Sequence, residues 1–94
     1  MPAYVIGQIH VRDSVGWQEY VSQVGATIAA YGGEMLFRAR RERVMNGDSP
    51  FERVVAIRFT DRAAADRWHD SPDYQRLIPI RDAAADVTLV TYES

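Results

Sequence analysis

The chain has no cysteine and no lysine, and no apolar run approaches the roughly 20 residues that a membrane-spanning helix needs. The missing thiols exclude disulfide staples, thiolate metal sites and thiol nucleophiles. All eleven basic residues are arginine, which the codon bias of a GC-rich genome explains without appeal to phosphate recognition. Net charge is only -2, and acids match bases along the chain without a basic stripe, so nucleic acid is not an expected partner. The opening residues lack the basic-then-apolar order of a secretory signal. The expectation is a cytoplasmic protein with no membrane partner. No Gly-rich phosphate loop is present either, since Gly32-Gly33 is too short and ends a helix instead of starting one.

What is there reads as one domain over 1–94. At 94 residues the chain lies near the lower end of what a single apolar core holds together, and a small domain without disulfides often gains stability by pairing with itself. Ala3 to Arg12 alternates as a strand, with Val5, Gly7, Ile9 and Val11 on one face and Tyr4, Ile6, Gln8, His10 and Arg12 on the other. Asp13 or Ser14 caps a helix whose stripe is Trp17, Tyr20, Val21, Val24, Ile28 and Tyr31. Gly32-Gly33 ends it. Glu34 to Met45 reads as a longer strand, with Met35, Phe37 and Ala39 on one face and Leu36, Arg38 and Arg40 on the other. The run Arg40-Arg41-Glu42-Arg43 marks a bulge or an exposed edge, and Asn46 to Pro50 is a turn cluster. Arg53 to Thr60 is a third strand. Asp61 caps an Ala-rich helix through His69, and Ser71-Pro72 stops it and caps a further turn holding Tyr74, Leu77 and Ile78. Val87 to Tyr92 is the last strand.

The order β-α-β-β-α-β predicts an α+β, ferredoxin-like fold: a four-stranded antiparallel sheet with the helices on one face. The other face carries Tyr4, Ile6, Val54, Ala56, Val90 and Tyr92, too much apolar surface to leave in water. Packing that open face against a second copy gives a homodimer.

The opening Pro2-Ala3-Tyr4-Val5-Ile6, the helix from Tyr20 to Tyr31-Gly32-Gly33, and Asn46-Gly47 belong together with two later segments. These are Phe59 running into the Ala-rich helix with Trp68, and Ser71-Pro72-Asp73-Tyr74-Gln75 followed by Arg81-Asp82-Ala83-Ala84. With these segments the whole chain resembles the small bacterial family known as domain of unknown function 1330, within the dimeric α+β barrel superfamily. The resemblance implies a ferredoxin-like protomer and a dimer, and brings no assigned activity. Superfamily relatives include cofactor-free monooxygenases, haem-degrading enzymes and muconolactone-type isomerases. The chain departs from the family pattern where relatives commonly have Gly-Gly after Arg38, and where Asn46 replaces an acidic residue.

The candidate ligand-binding residues are Tyr20, Tyr31, Trp68, Tyr74, Arg81 and His10. The aromatic residues lie on helices that cover one sheet face, where they form either plain core or the apolar wall of a small pocket. Buried tyrosine hydroxyls need partners, and Arg81, seven residues after Tyr74, falls on its helical face and supplies a charge. His10 is the one histidine on a strand and suits either a base or a polar interface position. Arg38 and Arg58 are expected on the dimer-facing side, paired with acids of the partner chain. His69, among Asp66, Asp70 and Asp73, reads as a solvated helix end and not as a metal ligand. No cofactor is implied and no nucleophile-base-acid triad is present. Two functions remain open: a small-molecule binder or cofactor-independent enzyme of oxygenase or isomerase type, and a non-catalytic dimeric structural or regulatory module.

Overall fold

Asp13 opens the first helix, its carboxylate accepting the Val15 N–H at 3.1 Å, as a short acidic side chain ahead of an apolar stripe should. This helix, α1, is Ser14–Ala30 and joins strand β1, Ala3–Val11, to strand β2, Glu34–Arg40. Strand β3 is Arg53–Phe59. Three short helices follow, α2 at Arg62–Asp70, α3 at Pro72–Gln75 and α4 at Ile78–Ala84, before strand β4, Ala85–Glu93. The computed structural model describes residues 1–94. No helix is long and apolar enough to cross a membrane.

The strands lie in the order β2-β3-β1-β4 with antiparallel neighbours throughout. This is the expected ferredoxin-like sheet, with α2, α3 and α4 together filling the place of the second helix. Side chains of Val5, Ile9, Ile57 and Phe59 face the helices and are buried with Trp17, Tyr20, Val24, Ile28, Trp68, Tyr74 and Leu77. The opposite face carries Ile6 beside Ala56 and Val90, and Tyr4 beside Arg58 and Tyr92. No element of this chain covers it, and Phe37, Val90 and Tyr92 are 50%, 41% and 55% exposed.

Helix α1 ends through Gly32, whose φ of +75° is a geometry that costs L side chains about 1–2 kcal/mol. Gly33 is required for a different reason. A Cβ there would lie 2.7 Å from the Phe59 ring and 2.5 Å from Ile28, so the absent side chain lets β2 start directly over the core. The far end of the fold is tied by Arg12, whose guanidinium donates to the carbonyls of Ala83 and Ala85 at 3.4 and 3.2 Å and pairs with Asp86 at 3.2 Å. It thereby satisfies carbonyl groups that the last turn of α4 leaves free.

Two expectations about β2 need correction. The strand stops at Arg40 and does not run on to Met45; residues 41–52 form an irregular connection pinned by the Arg41 guanidinium, which donates to the carbonyls of Ser49 and Phe51 at 2.6 and 3.2 Å. The irregularity in register lies between Met35 and Phe37, not in the arginine run. One extra residue there inverts the alternation beyond it. Met35, Arg38 and Arg40 pair with Ile57, Val55 and Arg53 on the helix side, whereas Phe37 and Ala39 pair with Ala56 and Val54 on the open side. Arg38 therefore leaves the face it was expected to share with Arg58.

Candidate functional site

A buried tyrosine hydroxyl must find a partner, and Tyr74, fully buried, finds two. Its Oη accepts from Arg81 Nη1 at 3.0 Å and lies 2.9 Å from Tyr20 Oη. Arg81 can only donate. With two lone pairs, the Tyr74 oxygen can accept from Arg81 and Tyr20 together, so the three groups form one chain centred on Tyr74. Burial, the neighbouring Tyr74 and its hydrogen bond raise the Tyr20 pKa well above the phenol range, against the opposing pull of Arg81 and Arg38. Tyr20 thus stays a hydrogen-bond donor and does not act as a base. Burial opposes ionisation of Arg81, but its hydrogen bonds to Asp82, at 2.9 Å, and to Tyr74 outweigh that and raise its pKa.

Local sequence explains the placement. Ser71 accepts the Tyr74 N–H at 3.2 Å and donates to the Trp68 carbonyl at 2.7 Å, and Pro72 takes the first helical position, where an N–H is not needed. The chain thereby turns from α2 into α3 and drives Tyr74 against Trp68, with ring centroids 4.3 Å apart. The Trp68 indole N–H donates to Thr27 Oγ1 on α1 at 3.1 Å. Tyr20 meets Tyr74 edge to face at 6.4 Å and stacks at a tilt on Trp17 at 5.1 Å.

Beside this aromatic wall, between α1 and the sheet, lies a cavity of about 440 Å³ that all four strands help to line. Trp17, Tyr20, Val24 and Ile28 roof it and Ile57 and Val55 lie in its floor. All its lining residues are apolar or aromatic except Arg38, Arg40 and Arg53, and none is Asp, Glu or His. Its position follows from topology: α1 packs over the centre of the sheet, so space opens beneath it towards the edge strand β2.

The six residues singled out from the sequence separate into three groups. Tyr20, Trp68, Tyr74 and Arg81 come together; of these, Tyr20 and Trp68 line the cavity, while Tyr74 and Arg81 stand behind Tyr20 as its support. Tyr31 is the C-cap of α1, half-buried against the core and outside the cavity lining. His10 sits on the opposite sheet face, its Nδ1 2.7 Å from Glu52 Oε1. Glu52 Oε2 also accepts the Val11 N–H at 2.8 Å. Desolvation opposes ionisation of Glu52, yet the hydrogen bonds from Val11 and His10 hold its pKa down at about 2. His69 lies at the exposed end of α2, 3.3 Å from Asp70.

The three cavity arginines and Thr27 escaped the sequence reading. Arg53 had a signal, since it stands two residues before Val55 and four before Ile57 on the inward-facing side of β3. Arg38 and Arg40 had none, because the extra residue in β2 conceals their side of the sheet.

A family model described as a domain of unknown function, DUF1330, matches residues 2–94. Among solved structures, a protein of unknown function from Rhodopseudomonas palustris superposes with a TM-score of 0.84 at 18% identity, over 99% of this chain and 82% of that one. SnoaB, a cofactor-independent oxygenase from Streptomyces nogalater, gives 0.73 at 13% identity, over 99% and 92%. A dimeric ferredoxin-like protein of unknown function from a Jannaschia species gives 0.69 at 13% identity, over 100% of both chains. At these identities the likeness is one of fold. No match is found among curated proteins.

Proposed function

Since the chain belongs to the DUF1330 family, whose description carries no activity, its own geometry has to supply the function, and we propose that it is a homodimeric protein binding a small organic molecule between α1 and the sheet. The observation carrying this reading is the cavity itself, about 440 Å³, apolar in its walls and charged only by arginine. Sites for small ligands typically enclose about 300–1,000 Å³ and combine an apolar lining with a few placed polar groups. The three arginines supply those groups, beside the hydroxyl of Tyr20 that Tyr74 holds in place. The uncovered sheet face, with Phe37 and Tyr92 half exposed, supports a second copy packing sheet to sheet, and one structural neighbour is described as dimeric.

The chemistry within reach is that of holding, not of proton abstraction, because the cavity is lined by donors and no carboxylate or imidazole. An oxygenase or isomerase role, of the kind carried by SnoaB on this fold, would therefore require a substrate that is already an anion, with Tyr20 and arginine steadying its charge. The same lack of a base favours, as a second reading, a non-catalytic dimeric module that stabilises or regulates another protein through its outer surface.

Native mass spectrometry on freshly purified protein tests both parts. The expected spectrum is that of a dimer carrying a small molecule that denaturation releases, with Val24→Trp, which fills the cavity, purifying without it. A monomer would overturn the dimer, and retention of the same mass by Val24→Trp would overturn the cavity. A clean dimer carrying no added mass shifts the choice to the non-catalytic module.

A further inference from the structure

Arg40 on β2 stands directly opposite Arg53 on β3, and Arg38 lies two residues along the same face of β2. Like charges placed opposite each other across a sheet destabilise the pair. Arg38 and Arg40 are exposed and water screens part of this repulsion, but no acid of the protomer offsets it. None of the three guanidinium groups enters an ion pair, and Arg53 Nε is buried without a hydrogen-bond partner. A buried donor left without an acceptor is costly, the more so when it is charged. All three residues line the same cavity, whose remaining walls are apolar and which contains no acidic side chain.

We infer that the ligand of this cavity is an organic carboxylate with an aromatic-sized apolar body, its oxyanion held by Arg53 together with Arg38 and Arg40. The inference rests on the cavity reading above and adds the chemical class of the occupant. Planar guanidinium forks match a planar carboxylate in bidentate geometry. The anion supplies the acceptor that Arg53 Nε lacks and removes the mutual repulsion of the facing arginines. Trp17, Tyr20 and Trp68 take the apolar body between them. Phosphate is the poorer fit, because the charged end of the cavity is built on strands, without the helix N-terminus and glycine loop that cradle phosphate groups.

Calorimetric titration of the full chain with naphthoate and with its neutral isostere naphthamide separates charge from shape. Wild type is expected to bind naphthoate at least about tenfold more tightly than naphthamide, the scale of one charge-assisted hydrogen bond. Arg53→Met should abolish that preference while leaving naphthamide affinity unchanged. Because it also relieves repulsion, its melting temperature should hold or rise, where loss of a structural ion pair would lower it. Arg38→Met repeats the test should Arg53→Met fail to fold. Equal binding of the two probes, with both blocked by Val24→Trp, would overturn the anion and leave the cavity reading standing. A preference for naphthoate that survives in both arginine variants would equally overturn the anion site. Binding of neither probe at millimolar concentration, or binding unaffected by Val24→Trp, would remove the cavity reading and the inference with it.

Discussion

Tyr74 joins the two halves of the helical layer through a single oxygen, which accepts from Arg81 at 3.0 Å and contacts Tyr20 at 2.9 Å. Removing that oxygen leaves the rings packed but deprives one Arg81 N–H and the buried Tyr20 hydroxyl of their partner at once, while Arg81 keeps Asp82. Tyr74→Phe is therefore expected to cost about 1–3 kcal/mol, the range for leaving buried partners unsatisfied, read as a shift in urea midpoint with unchanged slope. Tyr20→Phe should cost less, because Arg81 keeps its acceptor. The double variant should cost less than the sum of the two, since the second substitution removes groups that the first has already orphaned. Additive costs would show that the hydroxyls act independently and that the chain centred on Tyr74 does not exist. At this scale much was legible. A tyrosine seven residues before an arginine, in a region already marked by Ser71-Pro72, suggested the pairing, although a break between α3 and α4 replaces the continuous helical face assumed. Thr27 was not legible, because nothing in an isolated threonine on a helix says that a tryptophan on another element will donate to it.

At the scale of elements, α1, α2, α3 and the first, third and fourth strands could be read because their apolar spacing agrees with their caps: Asp13, Asp61 and Ser71 each accept from the turn that they open, whereas α4 has no side-chain cap to announce it. Strand β2 was misread for a physical reason. Period-two alternation is informative only while the register is unbroken, and the extra residue between Met35 and Phe37 moves Arg38 and Arg40 to the side where the cavity lies. The end of β1 is held to the residue preceding β3 by Glu52, which accepts from Val11 N–H and His10, and this clamp is sensitive to pH. The folded pKa of Glu52 is lowered from an ordinary 4.5 to about 2. A carboxylate depressed on folding contributes stability that is fully present above its unfolded value and is lost as pH falls through the folded one. Wild type should therefore be more stable than Glu52→Gln at pH 7, with the difference shrinking below about 4.5 and gone near 2. Paired urea melts across that interval measure it. The side chains are half open to solvent, so the gap should be small; one that persisted unchanged at the acid end would show that charge is not its source.

For the whole molecule, the deciding feature is that all the helices lie on one side of the sheet. The helical side closes the core and, by sitting over the centre of the sheet, leaves the cavity near β2; the other side is left with Tyr4, Ile6, Phe37, Val90 and Tyr92. These two consequences of one topology can be separated by experiment, because the bulge in β2 sends Phe37 outward and its neighbour Arg38 inward. Phe37→Glu places a charge in the middle of the apolar face, where a second copy would have to desolvate it, without altering a residue that lines the cavity. It is expected to convert the proposed dimer into a monomer at micromolar concentration, measured by sedimentation velocity. The monomer should unfold at a lower temperature than the wild-type dimer, and its melting temperature should no longer rise with protein concentration, since association stabilises the folded state only by mass action. Arg38→Met, one residue away and facing the helices, should leave the sedimentation coefficient unchanged. If Phe37→Glu stayed dimeric, the partner would have to sit on another surface. The exposed sheet would then need a different occupant, because the continuous row of Phe37, Ala56, Ile6 and Val90 crosses the open face with no element of this chain over it.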